Sequence, residues 1–273
     1  MHRPSLLALL VWLAAGCDTG TRREPPAASA TVSAPSRNGE SPAPTVPAPA
    51  SSPAILYTET SPAAPPPAAP RRAPAPCHVA LIGDSLTDFR TTGGGFVRYL
   101  EQRAPNSRFS NFAKGGAMVN QMRRHFEAGV LVEPRGTFTH LVLFGGVNDL
   151  YSDETAGRTP AKIEADLGWM YSAAKERGLR IVALTVAPWG GFTRYDNPRR
   201  RSATLELNAW ILERKSLGEV DVVVDAYRLL SCGDPALLCP SYEPPHHDGL
   251  HFGKGGHEVL GQALYEAEFR HCS

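Results

Sequence analysis

The sequence predicts an α/β fold: a three-layer α/β/α sandwich around a mostly parallel, five-stranded sheet. Two observations carry that prediction. Short apolar runs alternate with segments of helical periodicity through residues 77–273, the pattern of repeated β-α units with helices covering both faces of a sheet. The strongest runs, such as His140-Leu141-Val142-Leu143-Phe144, are apolar at nearly every position, as strands buried on both faces require. The flavodoxin-like strand order 2-1-3-4-5 is expected from the fold type rather than from any spacing.

The elements follow in order. His78–Gly83 is the first strand. Residues 95–103 read as a helix, with Phe96, Val97 and Leu100 at helical spacing. The segment 107–113 is a shorter, more polar strand, expected near an edge, and 118–128 is a helix. Residues 139–145 form the third strand. Thr159 and Pro160 then supply a cap and a first-turn proline. The helix they open carries Ile163, Leu167, Met170, Tyr171 and Ala174 on its buried stripe and ends at Gly178. A strand over 180–187 precedes a helix opened by Pro198, whose inward face is read as Leu205, Ala209 and Leu212. The fifth strand is 221–225, and the last helix, 254–270, turns Leu260, Ala263, Leu264 and Ala267 inward.

Ahead of this region the composition changes. Residues 1–17 combine a short basic start at His2 and Arg3 with an apolar core, Leu6 to Leu13, too short to span a bilayer. Ala14-Ala15-Gly16-Cys17 follows and resembles a bacterial lipobox, which implies cleavage before Cys17 and lipid on its sulfur; the alternative is an ordinary secretory signal cut near Ala15 or Gly16. Residues 18–76 are dominated by Pro, Ala and Ser and have no apolar periodicity, so they read as an extended, disordered tether. The expectation is an exported protein of the bacterial cell envelope, lipid-anchored to a membrane and monomeric. A formal net charge of +1 gives no argument for a nucleic-acid partner.

The chemistry gathers where strands end. Gly83-Asp84-Ser85-Leu86 places Ser85 at the carboxyl end of the first strand, where an open α/β sheet has its crevice. Residues 111–117 follow the second strand, and Gly115 and Gly116 let a free backbone amide approach a ligand. Gly146-Val147-Asn148-Asp149 follows the third and offers the Asn148 amide. Asp248-Gly249-Leu250-His251 precedes the last helix, at a spacing that lets one turn bring carboxylate to imidazole. Taken singly, these stretches are a turn, a glycine turn, a helix cap and a solvated acid with a satisfied histidine. Taken together, they supply what ester cleavage through a serine needs: nucleophile, base, a group to orient the base, and oxyanion donors.

These four blocks, in this order, resemble the GDSL, or SGNH, hydrolases. The resemblance frames most of residues 78–257. It implies Ser85 as nucleophile, His251 as base and Asp248 as its orienting acid. It implies an oxyanion hole from the Ser85 and Gly116 amides and the Asn148 side chain, Gly116 being chosen over Gly115 by aligning on Asn111. It implies no metal or other cofactor. The substrate class is a small-molecule, glycan or lipid ester, or a thioester. The chain lacks the Gly-x-Ser-x-Gly pentapeptide of ordinary α/β-hydrolases.

Other readings stay open. His247 and His251 are four residues apart, a zinc spacing on a helix, but Pro245 and Gly249 disfavour a helix there. A non-catalytic glycan-binding protein on the same fold is the alternative function. Trp189, Phe192 and Tyr195 follow the fourth strand and are candidates for a substrate pocket. Arg199-Arg200-Arg201 opens a helix, where positive charge opposes the dipole, and hints at an anionic partner. Four cysteines remain beyond Cys17, and an exported compartment permits disulfides. Cys77 begins the first strand, and a last helix antiparallel to the strands brings Cys272 to the same edge. Cys77–Cys272 is the expected pair, which leaves Cys232–Cys239 across a Gly233-Asp234-Pro235 turn.

Overall fold

The computed structural model describes residues 75–272. Cys17, the 1–17 signal and the proline-rich segment up to residue 74 lie outside the described residues. Five parallel strands form one sheet: β1 (His78–Gly83), β2 (Arg108–Asn111), β3 (His140–Phe144), β4 (Arg180–Leu184) and β5 (Val222–Val224). Their order is β2-β1-β3-β4-β5, as expected. Registers such as Ala80 beside Leu141 and Val142 beside Val182 align the strand ends, so the loops leaving them share one rim.

Helices cover both faces. On one lie α2 (Val119–Phe126), α3 (Val147–Tyr151), α5 (Pro160–Glu176) and α6 (Pro198–Ser216), with the short α4 (Asp153–Ala156) between α3 and α5. The core beneath them joins Ile82, Met122, Leu143, Leu167, Met170 and Leu207. On the other face α1 (Gly95–Arg103) packs on α8 (Lys254–Ala267), over Leu81, Phe96, Val142, Leu184 and Leu260. The remaining short helix, α7 (Ala226–Leu229), follows β5. Thr159 caps α5 by accepting from the Lys162 amide, and the five residues read as its buried stripe are all buried.

Two helix faces differ from the sequence reading. In α6 the inward residues are Thr204, Leu207, Asn208 and Ile211, while Leu205, Ala209 and Leu212 are exposed. The reason is polar. Asn208 clamps the Val186 backbone, accepting from its N–H at 2.7 Å and donating to its C=O at 3.1 Å, and this fixes the rotation of the helix. In α8, Leu260 and Leu264 are buried but Ala267 faces solvent, because Glu268 and Phe269 turn inward beyond it. Among the described residues no helix is long and apolar enough to cross a membrane.

Both expected disulfides are present, Cys77–Cys272 and Cys232–Cys239. The first closes the amino pole of the sheet, where the Ala75 amide also donates to the His271 carbonyl at 3.2 Å.

Candidate active site

The rim at the carboxyl ends of the strands is built by three loops pinned to one another. After β1 the chain turns at Gly83, where a Cβ would meet Thr87 Oγ1 at 2.5 Å and the Phe144 carbonyl at 2.8 Å. The amides of Thr87 and Asp88 fold back onto the Asp84 carbonyl, and the Leu86 amide donates to Asp84 Oδ1. This turn lifts Ser85 out of the sheet, half-buried. The loop after β2 is stitched to it by Asn111, whose Nδ2 donates to the Thr87 carbonyl at 2.7 Å.

Ser85 Oγ lies 2.9 Å from His251 Nε2. His251 Nδ1 lies 2.6 Å from Asp248 Oδ2, and Asp248 Oδ1 accepts from the Leu250 and His251 amides. Burial works against the charged Asp248 carboxylate, but bonds from the His251 ring and these two amides outweigh it and hold its pKa below the ordinary value. An ionised Asp248 makes Nδ1 the protonated nitrogen and leaves the Nε2 lone pair facing the serine. Both ring nitrogens are thereby engaged, and residues 247–251 are not helical, so His247 and His251 do not form the metal pair their spacing allows.

In the loop after β2, beside Ser85, two adjacent glycines differ in their hydrogen bonding. The Gly115 amide is spent on Asp88 Oδ2 at 2.9 Å. Gly116, at φ +74°, has an amide without an internal partner among the described residues, and the space where its Cβ would stand is open. Asn148 enters from the start of α3, buried; its Nδ2 donates to the Ala117 carbonyl at 3.1 Å and its Oδ1 accepts from Tyr151 Oη at 2.6 Å. Its neighbour Asp149 accepts from the Val119 amide and from Arg158, tying the third loop to α2.

Three groups were not singled out from sequence. Asp88 holds Gly115 and forms a two-pronged pair with Arg90. Tyr151 holds Asn148. Asp84 is fully buried, and burial pushes its carboxyl up to about 7. The helical spacing of Asn148 and Tyr151 was the one signal in the chain for the second.

The pocket reading of Trp189 is corrected: the ring is 2% exposed in the core, with Nε1 donating to Thr204 Oγ1 at 3.0 Å. Phe192 and Tyr195 are half-exposed and cluster with Tyr151, ring centroids 4.9–5.9 Å apart. The arginine run is consumed internally: Arg199 and Arg200 pair with Asp153, and Arg201 with Asp196.

A doubly covered parallel sheet with serine, histidine and aspartate hydrogen-bonded in series at its carboxyl rim has the build of a serine hydrolase. Residues 81–259 match the GDSL-like lipase/acylhydrolase family, and the chain belongs to it. It is accordingly a carboxylic ester hydrolase. Solved structures share the fold. A GDSL-like lipase from Bacteroides thetaiotaomicron is 20% identical, covering 69% of this chain and 86% of its own, with a TM-score of 0.54. A lipase/acylhydrolase from Enterococcus faecalis is 20% identical over 70% and 94%, TM-score 0.55. A catalytic mutant of an acetylxylan esterase from Geobacillus stearothermophilus is 17% identical over 71% and 94%, TM-score 0.55. No functionally curated protein matches the sequence.

Proposed function

We propose that Ser85 carries the acyl group through a two-step cleavage of a carboxylic ester. Ser85 Oγ adds to the ester carbonyl as its proton passes to His251 Nε2. The tetrahedral oxyanion is met by the Ser85 and Gly116 amides and the Asn148 side chain. Collapse expels the alcohol, which takes the proton from His251. Water then adds to the acyl-serine with His251 again as base, releasing the acid and restoring Ser85. The observation that carries this reading is the unbroken series Ser85–His251–Asp248, at 2.9 Å and 2.6 Å.

An acetylated glycan is the preferred substrate. An acetylxylan esterase shares the fold, and the Tyr151–Phe192–Tyr195 cluster beside Asn148 is an aromatic surface of the kind that meets sugar rings. The protein is further proposed to be a monomer held at the bacterial envelope by lipid on Cys17, a reading supported by the Ala14-Ala15-Gly16-Cys17 junction. Mass spectrometry of the membrane-extracted protein tests the anchor, and an unmodified Cys17 there refutes it.

The decisive experiment is Ser85→Ala. It should abolish hydrolysis of a nitrophenyl acetate and labelling by a fluorophosphonate while the thermal melt is retained. His251→Ala should be nearly as severe. Full activity in folded Ser85→Ala refutes the mechanism, and no esterase activity in the wild type favours the glycan-binding alternative.

A further inference from the structure

Beyond Gly116 the surface opens into a cavity of about 280 Å3 lined by Lys114, Gly116, Gln121, Arg124 and His125. A second hollow of about 460 Å3 shares Lys114 and His125 and adds Arg90. No acidic residue lines either one. Arg90 is balanced by Asp88 at 2.8 Å, but Lys114 and Arg124 have no ion pair with any described residue. Gln121 spends its Oε1 on the Met118 amide, so its Nε2 remains a donor. His125 Nδ1 is buried without a hydrogen-bond partner. His125 shares these walls with Lys114, Arg124 and Arg90, and burial first, then those cations, hold its ring below its ordinary pKa. A Cβ on Gly115 would stand 4.0 Å from Ser85 Cβ, so this basic wall begins beside the serine.

Such a wall is unusual in this molecule. The net charge is +1, so there is no general attraction for anions. The one basic run evident in the sequence, Arg199 to Arg201, is neutralised by Asp153, Glu154 and Asp196. Lys114 and Arg124, gathered without an acid of their own, repel one another, and an anion bound between them removes that cost.

We infer that this pocket binds an anionic group, carboxylate or phosphate, carried by the ester substrate on the Gly116 side of its reacting carbonyl. Lys114 and Arg124 supply the charge and Gln121 Nε2 a further donor, leaving the Gly116 amide to the oxyanion. The inference rests on the Ser85 reading for its substrate, and it narrows the acetylated glycan to one bearing an acidic or phosphorylated sugar. The aromatic cluster and the basic pocket then read two parts of one molecule, ring and charge.

The test compares three acetyl esters: acetylated glucuronic acid, its neutral methyl ester, and acetylated glucose 6-phosphate. Wild-type kcat/KM should favour at least one anionic ester over the methyl ester by about tenfold, the effect of one or two charge-assisted bonds. That ratio should shrink with added salt and collapse in Lys114→Gln/Arg124→Gln. The anion with the larger ratio identifies the source of the charge. Equal kcat/KM on all three esters overturns the inference. Cleavage of none of them, with a nitrophenyl acetate still hydrolysed, would count against the acetylated-glycan reading instead, and binding then decides the pocket. Labelled Ser85→Ala protein is titrated with glucuronate and with inorganic phosphate while the Gly115, Gly116 and His125 resonances are followed. Shifts that vanish when both cations are replaced support the pocket, and their absence refutes it.

Discussion

Asn148 is held from two sides, and that is what makes a flexible carboxamide usable as a donor. One N–H goes to the Ala117 carbonyl, the Oδ1 accepts from Tyr151, and the second N–H has no partner among the described residues, which keeps it available for the oxyanion role proposed above. Asn148→Ala should lower kcat by about 2.7–4 kcal/mol in barrier, the usual loss of one oxyanion donor. Tyr151→Phe keeps the ring packing and frees only Oδ1; kcat should fall about tenfold with KM little changed, since a strayed donor affects the transition state more than the ground state. A change confined to KM would mean that Tyr151 serves binding alone. Asp84 gives a different signature. Its Oδ2 is buried without a partner, and burial pushes its carboxyl from 3.8 up to about 7. Between pH 4 and 7 the unfolded chain releases a proton that the folded protein keeps, so stability present below pH 4 is lost as pH rises through 7. The loss is on the order of 4 kcal/mol. Asp84→Asn keeps an acceptor for the Leu86 amide and has no proton to lose. Urea unfolding at pH 5 and pH 8 should show the variant gaining on wild type as pH rises.

At the scale of elements, the loops after β4 and before α8 touch backbone to backbone. Gly249, at φ +72°, would place a Cβ 2.0 Å from the Gly191 carbonyl carbon. Gly249→Ala cannot be accommodated without parting these loops, and Gly249 lies between Asp248 and His251. The left-handed conformation alone costs about 1–2 kcal/mol. Melting temperature and kcat should fall together; an unaltered kcat at full occupancy of the fold would show that the contact does not position His251. The contact also marks how far the sequence could be read. The strand order, the α5 stripe and the Asp248–His251 pair were legible because each rests on local periodicity, on short spacing or on a fold-wide rule. Trp189 and the α6 face were misread because Thr204 and Asn208, polar and unremarkable in sequence, accept and donate across layers and decide what turns inward. The Asp88–Gly115 bond was illegible for a related reason: it joins two loops separated by a helix and a strand, and nothing in either stretch names the other.

For the whole molecule, the Cys77–Cys272 bond spans a sequence separation of 195 residues. Loop-closure entropy for a loop of that length is worth about 5 kcal/mol. Cys77→Ser/Cys272→Ser should lower unfolding free energy by up to that amount, read by urea denaturation, while hydrolysis at the opposite rim persists below the melt. A severe loss of kcat in the folded double variant would show that the amino pole and the catalytic rim are coupled.

The same bond gives the domain an unexpected topology. With its ends welded together at the pole opposite the serine, the polypeptide is a closed band rather than a thread. A protease that cuts one loop at the rim, between Gly190 and Asp196 for instance, opens the band without releasing a piece. The product is two segments joined through Cys77–Cys272, with new ends at the rim, and on a denaturing gel it travels as one species until a thiol reductant divides it in two.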